Sequence, residues 1–293
     1  MELTYKSLKE MVNTATQFDM TISELVLIEQ ASQMECSKAD LYDKMERQYD
    51  VMISSVEAGL QPGVKSTSGL TGGDAYKLYE KRKKGETQFG SFFSGALMRA
   101  VSVSEVNASM GKIVASPTAG SCGIVPSAII TMQEEKGIQK EVCIKALFTA
   151  SAVGMVIANN ASLSGAQGGC QAECGSASAM AAAALVEMAG GTPKMAEHAV
   201  GIAIQNILGL VCDPVAGLVE IPCIKRNASG VANALVAAEL ALAGIVSEIP
   251  ADEVIITMKR VGDVLPSSLK ETAEGGLAST PTGERFCRQV FGH

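Results

Sequence analysis

The chain has 293 residues, of which 47 % are apolar and 4 % aromatic, with no tryptophan and a formal net charge of −7. That length can bury a large core and hold one or two domains, and apolar content carried by Ala, Val, Ile, Leu and Met suits closely packed helices. The charges are scattered, and no long basic stretch is present to meet a phosphate backbone, so a nucleic-acid partner is not expected.

The first residues, MELTYKSLKEM, bring Glu2 at once and no apolar core of signal length, so no secretory leader is expected. Residues 1–58 read as helical. Leu8, Met11 and Val12 recur at helical spacing, Ser23 is placed as the N-cap of a second helix through SELVLIEQASQM, and Ser37 caps a third that ends near Ser54. Cys36, at the turn, reads as structural. Residues 59–75, GLQPGVKSTSGLTGGDA, form the first long break. Its backbone N–H groups and hydroxyls suit a carboxylate or phosphate, although it matches neither the Walker A pattern nor GxGxxG; a surface linker reads equally well. The run Lys81-Arg82-Lys83-Lys84 reads as a solvated helix end. A helix is expected over 86–112, with Phe89, Phe92, Phe93, Leu97 and Val101 on its apolar face. In ASPTAGSCGIVPSAI, Pro117 and Pro126 bracket a loop ahead of a helix expected from about Ser127. A thiol near a helix start has a lowered pKa, which makes Cys122 a candidate nucleophile or ligand.

Residues 140–158 and 176–190 read as buried helices. The uncharged stretch Ala146–Gln171 is long enough to raise the question of a membrane span. It is broken by Asn159, Asn160 and several Gly and Ser, so a buried helix followed by a polar glycine-rich loop is expected, and no membrane. The segment SASAMAAAALVEMAGG ends at Gly190-Gly191 as a C-cap would. Thr192-Pro193 opens a helix to about Leu210 that carries His198, read as a core or surface residue. Loops with Cys212 and Cys223 follow, then a helix from Ser229 and another from Pro250 and Asp252 to about Val261. The tail from Pro266 is polar, with a turn at Pro281-Thr282-Gly283. Period-2 alternation is scarce, and Val254-Ile255-Ile256 is better taken as part of a helix. The expected fold is all-α: a single domain over 1–293, with an N-terminal helical segment (1–58) and a core (59–293).

Eight cysteines in a chain expected in the cytoplasm should be reduced thiols, so metal binding or catalysis is expected ahead of a disulfide framework. At least half of them read as small buried apolar residues. Cys170 and Cys174 have the spacing C-x3-C, and ten residues separate Cys212 from Cys223; no C-x2-C knuckle and no contiguous ferredoxin run is present. Context says more than spacing. Cys170 follows Gly168-Gly169, where backbone can approach a bulky ligand. Cys212 precedes Asp213-Pro214. Cys223 precedes Lys225, Arg226 and Asn227, and those basic groups would offset thiolate charge.

Four segments, SPTAGSCGIVP, NNASLSGAQGGCQAECG, GLVCDPVAGLVEIPCIKRNA and EGGLA, resemble the α chain of the iron–sulfur L-serine dehydratases in their two-chain form. The resemblance covers most of the chain from about Gly59. It implies an all-helical catalytic domain and a 4Fe–4S cluster held by Cys170, Cys212 and Cys223. It also implies a separate β chain as partner, and L-serine as substrate, deaminated to pyruvate and ammonia.

Three thiolates on four irons leave one iron free to act as a Lewis acid toward the serine hydroxyl. Neutral donors are expected to hold the substrate carboxylate: Ser66, Thr67, Ser68, Gly69, Thr71 and Gly72, with Ser116, Thr118 and Asn160 from other loops. Lys65 would serve as the base if burial lowered its pKa. The family's β-type domain carries an SSSH segment that has no counterpart here, so the alternative source of the base is the partner chain. Some single-chain relatives end in a cysteine that occupies the free iron. Cys287, near the C-terminus but not at it, is held as a fourth ligand against an ordinary tail cysteine, and Cys122 and Cys174 are expected to pack near the site. Two other readings stand beside this one. A pyridoxal-phosphate lyase would need alternating β and α segments. A non-catalytic helical scaffold would bury its cysteines and tolerate their replacement.

Overall fold

The computed structural model describes Tyr5–Gly292; Met1–Thr4, with the start of the leader expectation, and His293 lie outside the described residues. Among the described residues the regular structure is helical and no strand forms; one isolated parallel bridge pairs Cys212 with Lys270. The all-α expectation holds, and the alternating segments of a pyridoxal-phosphate fold are not found among the described residues.

Helices α1 (Leu8–Gln17), α2 (Ile22–Gln33) and α3 (Lys38–Gly59) open the chain. Thr21, not Ser23, caps α2. Its hydroxyl accepts from Glu24 N at 3.2 Å while the Glu24 carboxylate accepts from Thr21 N at 3.2 Å. A capping box needs the acid three residues after the cap, and Thr21 meets that where Ser23, followed by Val26, does not. Ser37 caps α3 as expected, but the helix runs on to Gly59, past Ser54. Leu8, Met11, Ile22, Tyr49 and Met52 join the same continuous core as the later helices.

Helix α4 (Asp74–Lys83) ends in the basic run, as read. Helix α5 (Ser91–Ala108) is shorter than expected at both ends, so Phe89 lies ahead of it and is 80 % exposed rather than on an apolar face. Helix α6 (Ile124–Lys136) starts before Ser127 and takes Pro126 into its first turn, where the missing N–H has no intrahelical partner to lose.

The centre of the molecule is α9 (Ser176–Met188), packed between α7 (Lys140–Asn160), α10 (Pro193–Gln205) and α11 (Cys223–Leu242). Every residue of α9 but Glu187 is buried. Alanine is the best helix former, and its short side chain lets neighbouring axes come close. The Glu187 carboxylate accepts from Thr149 Oγ1 at 2.8 Å and Ser23 N at 3.2 Å, tying α7 and α2 to α9. Helix α7 is long and apolar enough to cross a membrane by length and composition; 67 % of its most apolar window is buried against other helices of this chain.

Three late elements frame the cysteine loops. The short α8 (Gly165–Gly168) precedes Cys170, α12 (Ala251–Val264) packs against α8, and α13 (Pro281–Phe291) lies on residues 215–217. Pro281-Thr282-Gly283 is the first turn of α13, not a free turn: the Thr280 hydroxyl accepts from Gly283 N at 3.1 Å, and Pro281 fits the first helical position. Helix α11 likewise begins earlier than expected. Cys223 is its first residue, ahead of Ser229.

Candidate metal centre

Cys170 stands at the head of a π-helical turn, Gln171–Gly175, that joins α8 to α9. Gly169 enters this turn with φ +75°, and a Cβ there would meet Leu210 O and Leu265 Cδ1, each at 2.8 Å. Only glycine accepts both that backbone and that approach. Gln171 then fixes the turn from inside. Its Nε2 donates to Gly168 O (2.9 Å) and Met258 O (3.0 Å), and its Oε1 accepts from Gly209 N (2.9 Å). Every polar atom of this buried amide is therefore used to hold the Cys170 backbone against α12 and the segment leading to Cys212.

Cys212 is held by the backbone on both sides: its N–H donates to Leu269 O at 2.9 Å and its carbonyl accepts from Glu271 N at 2.8 Å. The next residue, Asp213, is buried. Its Oδ2 accepts from Leu277 N at 2.8 Å, and its Oδ1 forms an ion pair with Arg226 Nη2 at 2.8 Å. Gly276 makes this possible, since a Cβ there would lie 2.4 Å from Asp213 Oδ2. The EGGLA motif thus acts as a cradle for Asp213. From α11, Arg226 donates through Nη1 to Val211 O at 2.9 Å and to Cys170 Sγ at 3.5 Å. The next residue, Asn227, donates to Gly120 O (2.7 Å) and accepts from Gly123 N (2.9 Å), docking the 116–123 loop on the start of α11.

A carboxylate completes the group. Cys170, Glu173 and Cys212 place ligand atoms within 4.8 Å of one another. Glu173 Oε1 accepts from Thr118 Oγ1 at 2.8 Å. Gly165 packs on the other side: a Cβ there would lie 2.8 Å from Glu173 Oε2 and 2.9 Å from Cys212 Sγ.

The electrostatics are those of a site short of positive charge. Hydrogen bonds from the Cys174 and Cys212 thiols, and then the Arg226 guanidinium, hold Cys170 well below the usual thiol range. The proton donated to Cys170 keeps Cys174 and Cys212 protonated, and burial adds to the effect. Burial, together with the Cys170 charge, pushes Cys223 up to about 12. Burial is also the largest cause raising Glu173 to about 7. One thiolate shared among several thiols is what a thiolate-ligated metal would replace, releasing protons as it binds.

The expected residues divide into those that reach this centre and those that do not. Cys170 and Cys212 meet, and Cys223 feels the Cys170 charge from the first residue of α11 but is outside the 4.8 Å group. Thr118 reaches the centre through Glu173. Cys174 is buried and hydrogen-bonded to Cys170, as a packing neighbour would be. The loop donors Ser68 and Thr71 give their hydroxyls to Glu220 Oε2 at 3.0 and 2.7 Å, and Ser66 Oγ lies 3.2 Å from Ser68 Oγ. Thr67 N donates to Ala108 O at 3.1 Å, while Gly69 and Gly72 take positive φ in this loop. The loop therefore sits on the segment between Cys212 and Cys223. A cavity of about 650 Å³ opens beside it, lined by Thr67, Ser68, Ala119, Leu218, Glu220 and Val290 among others.

Lys65 is exposed, so the burial that would prepare it as a base is absent. Asn160 donates to Val156 O and Lys6 O, at 2.8 and 3.0 Å, and serves the end of α7. Ser116 is buried with its hydroxyl unpartnered, beside an apolar cavity shared with Met45, Met52 and Met155. Cys287 is half-buried on α13, outside the group. Of the two readings of Cys122, the packing one agrees with its burial and the nucleophile one does not: burial pushes its thiol up to about 12, the opposite of activation at a helix start. His198 accepts from Ser247 N at 3.3 Å, on α10.

Glu173 was not foreseen. Its signal was in the sequence, since it is the single charged residue between Lys145 and Glu187.

Fold and site together define an all-helical protein with a buried, cysteine-lined centre whose donors suit a thiophilic metal. The family model of the serine dehydratase alpha chain matches residues 17–278, and the chain belongs to that family. It is 49 % identical over 288 residues to the probable L-serine dehydratase alpha chain of Bacillus subtilis, covering 98 % of this chain and 96 % of that one. To the L-serine dehydratase alpha chain of Peptoniphilus asaccharolyticus it is 45 % identical, over 97 % of each chain. The L-serine dehydratase of Mycobacterium bovis is 39 % identical over 94 % of this chain, which spans 61 % of that protein.

Proposed function

We propose that this chain is the catalytic α chain of an iron–sulfur L-serine dehydratase, a lyase that converts L-serine to pyruvate and ammonia in the cytoplasm. The observation that carries the reading is the meeting of Cys170, Cys212 and Glu173 within 4.8 Å, under an arginine, in a chain of this family. The donor set fits the cluster: buried thiols come from three separate segments, and Arg226 stands against the one that ionises first. Cys170, Cys212 and Cys223 would hold a 4Fe–4S cluster. When bound, the cluster supplies a Lewis acid to the hydroxyl that must leave.

The chain's own residues do the rest. Gln171 and Asp213 fix the ligand loops, and Arg226 offsets thiolate charge. Thr67 and Ser68 of the hydroxyl loop, with Ala119, line the cavity that we assign to the amino-acid carboxylate. Loss of the α-proton and the hydroxyl leaves an enamine, which tautomerises and hydrolyses to pyruvate and ammonia. Lys65 is exposed, which counts against it as the base, and His198, on α10, accepts a hydrogen bond from Ser247 N. We assign the base to a β chain. The single-chain relative, of which this chain spans 61 %, supports a second part of that kind.

The test is pyruvate formation from L-serine by anaerobically reconstituted chain, with and without its β chain. Activity that needs iron, sulfide and both chains supports the reading. Equal activity in iron-free protein with pyridoxal phosphate added would overturn it.

A further inference from the structure

Glu173 is in an unusual position for a charged side chain. It is half-buried, and a carboxylate taken largely out of water is normally paired with a cation or bound to a metal, because the desolvation cost is otherwise uncompensated. Among the described residues no lysine or arginine lies within ion-pair distance of Glu173. The nearby cation, Arg226, is committed to Asp213, Val211 O and Cys170. The one hydrogen bond drawn to Glu173 comes from Thr118 and engages Oε1. Oε2 points the other way, toward the space that Gly165 leaves beside Cys212 Sγ. If the role were only to fill space or accept from Thr118, glutamine would serve without the cost of burying charge.

We infer that Glu173 is an oxygen donor to the cysteine-lined centre: its Oε2 takes the metal position that Cys170, Cys212 and Cys223 leave without a thiolate. Thr118 is the positioning residue that turns Oε2 inward. Substrate binding then exchanges one oxygen donor for another, which keeps the site closed until serine arrives. This rests on the reading that the cysteines hold a metal, and it assigns the fourth position to a residue outside the cysteine set.

Two measurements test it on the full chain. The first is reconstitution with ⁵⁷Fe and sulfide, without serine, of the wild type and of Glu173→Gln, which keeps an acceptor for Thr118. The variant should assemble the same visible chromophore, show altered Mössbauer parameters for one iron, and lose that iron in air at least about tenfold faster, as loss of a metal-site partner does. Identical spectra and loss rates would overturn the inference while leaving the cluster intact. A wild type that takes up no iron or sulfide would sink the cluster reading instead. The second measurement, titration of the iron-free chain with cobalt(II) alone, then decides the Glu173 assignment by itself. Wild type should bind with a thiolate charge-transfer band and at least about tenfold more tightly than Glu173→Gln. Equal affinities, or no binding by the wild type, would overturn it.

Discussion

Residues 165–175 and residues 176–188 are contiguous, and both are rich in small side chains, yet they use them in opposite ways. In α9 the alanines bring helices together: nothing polar enters apart from serine hydroxyls and the hydrogen-bonded Glu187. In the segment before it, the glycines clear space for polar atoms. Gly165 admits Glu173 and Cys212, and Gly169 admits the Leu210 carbonyl. Small residues on an unbroken helix make a core, whereas small residues on a broken one make a cavity lined by backbone and thiols. Stability should therefore reside in the first region and chemistry in the second.

Substitutions in each region can break this division. The largest expected loss of stability is in the helical core. Phe148, 1 % exposed on α7, should cost about 3–5 kcal/mol when cut to alanine. Denaturant unfolding would measure this, and the metal taken up per folded chain should not change. Arg226→Gln bridges the two regions. It leaves Asp213 as a buried, uncompensated charge, at a cost of about 3 kcal/mol, the lower end for a broken buried pair because Arg226 is partly exposed. It also removes a cation from Cys170, so the thiol pKa should rise. Alkylation of Cys170 in the metal-free protein should then begin at higher pH than in wild type, followed by mass spectrometry. A profile that moved to lower pH would contradict the electrostatic account. Gly165→Ala should act mainly on chemistry. Its Cβ would enter the space shared by Glu173 Oε2 and Cys212 Sγ, so metal affinity should fall about 10–100-fold. The melting temperature should stay close to wild type, since the added methyl lies outside the α9 core.

The sequence made the helices legible because apolar periodicity and caps are local signals. Ser37 and Thr192 cap helices where expected, and the α9 alanines need no partner information to be read as buried. Boundaries failed where a tertiary contact decides them. Helix α11 starts at Cys223, where Asn227 ties the first turn to Gly120, and no local pattern announces that bond. The cysteines at the centre were legible by context and resemblance. Cys122 stood open between a ligand and a packing residue because its distance from a helix start was visible in the sequence but its burial was not. Ser68 and Thr71 were read as free donors because Glu220, which accepts from both, is 152 and 149 residues away in sequence. Glu173 was hidden between two cysteines, and its isolation among uncharged residues gained meaning only once the π turn placed it beside Cys212.

The most direct test of the central claim is iron and sulfide analysis, with an absorption spectrum, of anaerobically reconstituted wild type and Cys212→Ser. The account predicts about four irons per wild-type chain and a broad band near roughly 400 nm, as a 4Fe–4S cube would give. Both should be lost in the variant while its helical circular dichroism is retained. A colourless, iron-free wild type, or a variant that binds iron as well as wild type does, would contradict it.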